Sequence, residues 1–170
     1  MDSTFSHNCF FRFSCIIVSA NNCTSVTYEI FQQGQFNKIQ RIDLRLLFGS
    51  GFRFKILDQE NYQMNIGTSV MGEYERLSDT TAYSMDVLNS TYFSFDGQFT
   101  PNFGLNTITY FQPKFVDFGN YRIANETSLR IKISDHFTFK VVYTLAHDSR
   151  NIEGVRKTNY TLKNTFSFNF

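Results

Sequence analysis

The sequence predicts an all-β fold: an antiparallel up-and-down transmembrane β-barrel of about eight strands. Three observations in the 170 residues lead there. Apolar and polar residues alternate with a period of two from about Ser25 to the last residue, the signature of strands with two unlike faces. Several alternating runs exceed the roughly 5–6 residues usual in soluble strands and reach the roughly 9–11 that a tilted strand needs to cross a bilayer. The face opposite the apolar one carries charges of both signs.

The elements follow in order. Val26 to Phe36 sets Val26, Tyr28 and Ile30 against Thr27, Glu29 and Gln33. Arg41 to Leu57 is the clearest run: Ile42, Leu44, Leu46, Phe48, Phe52, Phe54 and Ile56 alternate with Asp43, Arg45, Gly49, Gly51, Arg53 and Lys55. A helix would scatter those charges around its circumference, whereas a strand puts them on one side. Tyr62 to Arg76 opposes Met64, Ile66, Val70 and Tyr74 to Asn65, Ser69, Glu73 and Glu75. Thr91 to Phe99 opposes Phe93, Phe95 and Phe99 to Ser94, Asp96 and Gln98. Gly104 to Gln112 is the weakest, with Ile108 and Tyr110 against Thr107 and Thr109. Tyr121 to Ile133 and Phe137 to Leu145 continue the pattern with Arg122, Glu126, Arg130, Lys132 and Lys140 on the polar side. Lys157 to Phe170 is the last strand. Asp58–Asn61, Pro101-Asn102 and Ser134–His136 read as short turns, while Leu77–Ser90 and Ala146–Val155 read as longer polar loops.

Energetics favour an apolar face turned to lipid. Arg or Lys facing lipid near the midplane costs roughly 2–4 kcal/mol each. A one-residue slip of Arg41 to Leu57 would turn Arg45, Arg53 and Lys55 into the bilayer together. Unpaired backbone is equally costly in lipid, so the sheet must close. Eight strands enclose an interior filled by side chains, not a wide pore. The expected lumen network is Arg45, Arg53, Lys55, Glu73, Glu75, Arg122, Glu126, Arg130, Lys132, Lys140 and Lys163. In the terminal strand Tyr160, Leu162, Phe166, Phe168 and Phe170 alternate up to the carboxylate. That resembles the C-terminal signal of bacterial outer-membrane barrels, read by their assembly machinery.

Composition narrows the rest. A net charge of +1 supplies no basic excess for nucleic acid. Arg, Lys, Asp, Asn or Gln interrupts every candidate transmembrane helix. Residues 1–24 read as a non-barrel N-terminal segment ahead of a barrel domain over 25–170. The segment around Cys9 to Asn22 is apolar but makes a poor signal peptide, because Arg12 sits inside it and no Lys or Arg precedes it. Cys9, Cys15 and Cys23 are odd in number and irregular in spacing, which fits neither zinc nor a disulfide framework. His147-Asp148-Ser149 holds triad residue types, but neighbours in sequence cannot take up triad geometry. Glu73 and Glu75 share one strand face and are expected to pair with lumen Arg and Lys rather than to act as an acid–base couple. No catalytic, cofactor or metal site is expected.

The stretch YEIFQQGQFNKIQRIDLRLLFGSGFRFKI, with Arg45-Leu46, Gly49, Gly51 and Arg53 at its heart, resembles the domain-of-unknown-function barrels described as salt-induced outer-membrane proteins. Gly72–Leu77, Tyr110–Phe115 and Gly154–Phe170 are similar to later segments of that family. The resemblance spans roughly residues 26–170 and implies a bacterial outer-membrane location with no established activity. Members begin with a signal peptide and further strands, so an N-terminally truncated member is expected here. The expected function is a non-enzymatic barrel of structural or envelope-stress role, whose partners are outer-membrane lipid and the barrel-assembly machinery. The alternatives are a channel or binder of small solutes or ions through the charged lumen, and a soluble lipocalin-like barrel for an apolar ligand.

Overall fold

The computed structural model describes residues 8–13, 26–37, 42–77, 83–150 and 156–168. Its strands are β1 (Asn8–Phe13), β2 (Val26–Asn37), β3 (Ile42–Gln59), β4 (Tyr62–Leu77), β5 (Tyr83–Thr100), β6 (Phe103–Pro113), β7 (Tyr121–Lys132), β8 (Phe137–Asp148) and β9 (Thr158–Phe168). Each pairs antiparallel with the next, in the order β1 to β9. β2 to β9 are the eight strands of the expected meander. β1 adds a strand that the alternation did not reveal, laid along the outer edge of β2 with Asn8 opposite Asn37 and Phe13 opposite Gln32.

β5 begins eight residues before the expected Thr91. Tyr83 to Ser90 reads as polar loop because Asn89 interrupts the apolar face and Leu88 the polar one. Pairing with β4 overrides that local ambiguity, setting Glu73 opposite Asp86 and Met71 opposite Leu88. The other β-ends move by a few residues at most, as fraying ends do.

Register divides the side chains between two faces, and in β6 it reverses the expected sides. Ile108 and Tyr110 fall on the charged face, Thr107 and Thr109 on the other, because pairing with β5 and β7 overrides the weak local pattern. Arg45 lies opposite Glu75, Leu47 opposite Glu73 and Arg53 opposite Gly67. On the other face run Leu46, Phe48, Phe52, Phe54, Ile66, Val70, Met85, Val87 and Phe93, all exposed, with Phe48 at 64% and Met85 at 72%. The sheet curls so that the charged face is concave. Arg122 at the start of β7 reaches Glu73 on β4, and Arg150, just past β8, reaches Glu75 with Nη1 2.6 Å from Oε1. Strands three and four positions apart therefore meet across the concavity.

Two glycines permit this interior. A Cβ at Gly49 would stand 2.6 Å from the Phe31 ring and 2.7 Å from Met71 Cβ. A Cβ at Gly67 would clash with the edge of the Tyr92 ring. Bare backbone at these positions lets large rings lie flat against the concave wall. The interior is also less polar than expected: Leu47, Met71 and Leu88 form a small buried cluster against Phe31.

Barrel closure does not appear among the described residues, where β9 pairs with β8 alone. The reason is one of strand direction. An antiparallel ring of eight requires β9 to share an edge with β2, and β1 occupies the Gln32–Asn37 half of that edge. Eight reversals separate β1 from β9, so the two run the same way and cannot complete an antiparallel ring themselves.

Candidate functional site

The concave face holds every charge expected of the lumen. Arg45, Arg53, Lys55, Glu73 and Glu75 line β3 and β4. Arg122, Glu126, Arg130, Lys132, Lys140 and Lys163 share that face on β7 to β9, since Gln112 pairs Arg122, Ile108 pairs Glu126, Arg130 pairs Lys140, and Val142 pairs Lys163. The structure sorts them into three groups.

The first is an ion-pair plug at the long-loop end. Glu73 Oε2 accepts hydrogen bonds from Arg45 Nε at 2.9 Å and Nη2 at 2.6 Å, and from Arg122 Nη1. Glu75 accepts from Arg122 Nη2 at 2.9 Å and from Arg150 Nη1 at 2.6 Å. Arg122 Nε and Arg150 Nη2 also donate to Asp148 Oδ2, at 2.9 and 2.8 Å. Glu73 and Glu75 are 3% and 2% exposed, so this is a desolvated network of three guanidiniums and three carboxylates. Burial opposes the charge on Arg150, but its hydrogen bonds to Asp148 and Glu75 win, and its pKa is raised above the ordinary value. Ser149 ties the strand exit in place, donating to the Gly119 carbonyl at 3.0 Å and accepting from the Tyr121 amide at 2.8 Å.

The second group lies deeper. Arg53 pairs with Glu29 and donates from Nε to the Tyr92 hydroxyl at 2.8 Å, while that hydroxyl donates to Glu29 Oε2 at 2.9 Å. Lys55 turns to Asp58 at 2.8 Å. The third group, toward the short-turn end, is Arg130, Lys132, Lys140 and Lys163, all exposed. Arg130 donates to Gln98 Oε1, and Lys132 reaches the turn residue Asp135 at 2.7 Å. Glu126, Lys140 and Lys163 make no hydrogen bond or ion pair among the described residues.

Asp148, Arg150, Glu29 and Tyr92 belong to these networks and are not among the charges the sequence assigns to the lumen. The parity of Glu29 and Tyr92 along their strands was an available signal. Asp148 and Arg150 had none, because they lay in a presumed loop. His147 and Asp148 point to opposite faces of β8, with His147 Nδ1 2.8 Å from Thr158 Oγ1. Tyr160, Leu162, Phe166 and Phe168 share the convex face of β9. Phe170, Cys15 and Cys23 lie outside the described residues.

Fold and site together define an all-β antiparallel meander with an apolar convex face and an ion-paired concave one. The chain belongs to DUF481, a protein family of unknown function, whose family model matches residues 24–170. No curated protein matches it.

Proposed function

We propose that the chain is a non-enzymatic bacterial outer-membrane protein whose strands cross the lipid as a closed β-barrel, serving a structural or envelope-stress role. The observation that carries this reading is its inverted amphipathicity. Among the described residues only Ile42, Leu47, Met71 and Leu88 are buried apolar residues, while rows of Phe, Leu, Ile and Val on the convex face are exposed. In water an apolar patch of that extent marks an interaction surface. Wrapped around a sheet with a charged interior, it fits acyl chains. No helix among the described residues is long and apolar enough to cross a membrane, so the strands are the spanning elements of this reading.

Lipid leaves no sheet edge unpaired. Closure in the membrane joins β9 to β2 and displaces β1. The existing curl supports that ring, because β4 already meets the β8 end across the concavity. Joining two copies through β9 would satisfy antiparallel pairing only with one copy inverted in the membrane. The convex residues Tyr160, Leu162, Phe166 and Phe168, with Phe170 after them, are the surface offered to the assembly machinery.

A closed barrel resists dodecyl sulfate until boiled and then migrates differently. We expect that shift in the full chain extracted with detergent. A chain that dissolves without detergent and migrates identically before and after boiling contradicts the reading. A conducting channel is the second reading, and the plug bears on it. Arg45, Glu73, Glu75, Arg122, Asp148 and Arg150 fill the concavity at one end. Planar bilayers with the unaltered protein are therefore expected to show no steady conductance, and Arg122→Ala with Arg150→Ala to show leak. Steady conductance of the unaltered protein would favour the channel.

A further inference from the structure

We propose that the concave face of β7 to β9 at the short-turn end binds a small, water-soluble, multiply charged anion of the phosphate class, through Arg130, Lys132, Lys140 and Lys163. Arg130 and Lys140 are directly opposed across the β7–β8 ladder. Residues so placed have Cβ atoms about 4.5–5.5 Å apart, and like charges there are destabilising. Lys163 sits opposite Val142, one diagonal step from Lys140, whose own partner is Thr165. Lys132 follows Arg130 on the same face.

Among the described residues no carboxylate pairs with Arg130, Lys140 or Lys163. Arg130 meets only the neutral Gln98, and Lys140 and Lys163 meet nothing. Asp135 engages Lys132 from the exposed turn. Asp96 accepts from Asn106 Nδ2 at 2.7 Å, and Glu29 is committed to Arg53 and Tyr92. Glu126 lies four residues up β7 and bonds to none of them. The contrast with the plug is plain, since there every guanidinium has a carboxylate. The opposed pair Arg130 and Lys140, with Lys163 on the diagonal, carries a cost that an anion removes.

The surroundings select the class. The patch sits on the polar face, with Thr138, Thr165 and Ser167 as further hydroxyl neighbours on that side. The phosphate of a lipid would have to bring its acyl chains into that polar concavity, so the anion is a free solute. This deepens the proposed function by giving its charged interior a ligand, but it rests on the strand register and not on the membrane location.

The test titrates inorganic phosphate, against chloride at matched ionic strength, into the full chain in detergent. Calorimetry reads binding, and thermal unfolding reads stability. Saturable binding is expected, with a rise in the unfolding midpoint. Lys140→Gln with Lys163→Gln should weaken binding about tenfold or more, the effect of losing charge-assisted hydrogen bonds. Lys140→Gln alone should raise the midpoint in phosphate-free buffer, because it removes the opposed like charges, and should shrink the phosphate-induced rise. Three results would each overturn the proposal: no saturable binding, binding that the double variant leaves unchanged, or a Lys140→Gln protein that is less stable without phosphate. A protein soluble without detergent would sink the membrane reading and leave this titration intact.

Discussion

Glu73→Ala is expected to lower stability by about 3–5 kcal/mol, the usual result of removing one member of a buried ion pair. Glu73 is enclosed, and its Oε2 is the shared acceptor of Arg45 and Arg122. Without it those guanidiniums have Glu75 as their remaining partner on β4, already shared with Arg150. Desolvated positive charge is then left unbalanced inside the concavity. The control is Asp43→Ala, which breaks the Asp43–Arg76 pair, where both side chains are about half exposed. There the cost should stay within about 1 kcal/mol, as for exposed pairs generally. Urea unfolding of both variants in the same lipid or detergent measures the difference. Equal effects would mean that the plug is solvated and the concavity open to water.

Val70→Arg is expected to cost about 2–4 kcal/mol in a bilayer. Val70 lies near the middle of β4 on the convex face and is 52% exposed. The same substitution at an exposed site on a soluble sheet normally changes stability by only about 0.5 kcal/mol in either direction. The two environments thus predict values that do not overlap. Reversible unfolding from lipid vesicles reads the effect. A near-neutral result would place the convex face in water or against a polar partner.

Strand identity and, outside β6, facing were legible in the sequence because the period is local. In β6 the apolar and polar sides exchange, and Ile108 and Tyr110 lie on the charged face opposite Glu126 and Tyr92. A single run such as Ile42 to Ile56 states which residues share a side, and register then has little freedom. All eleven charges expected on one face share it. Strand limits were less legible where single residues break the pattern: Leu88 and Asn89 each sit on the face their polarity argues against, which hides the start of β5. The membership of each cluster was not legible at all. Arg122 joins Glu73 through curvature, and curvature depends on how strands pair and where glycines admit large rings. Parity alone could not separate Arg122, at the centre of the plug, from Lys140, which makes no ion pair among the described residues. β1 was hidden for a related reason. Its six residues follow no strict alternation, and its place is set by the free edge of β2, a feature of the folded sheet.

The most direct test of the account follows accessibility along β5 in the bilayer-reconstituted full chain. Spin labels are placed one at a time at Ser84, Val87, Phe93 and Ser94, and their collisions with oxygen and with a water-soluble nickel chelate are compared. The account predicts that Val87 and Phe93 respond to oxygen dissolved in lipid, whereas Ser84 and Ser94 do not. Labels at Val87 and Phe93 sealed from both reagents in a dry protein core, or open to the nickel chelate, would contradict it.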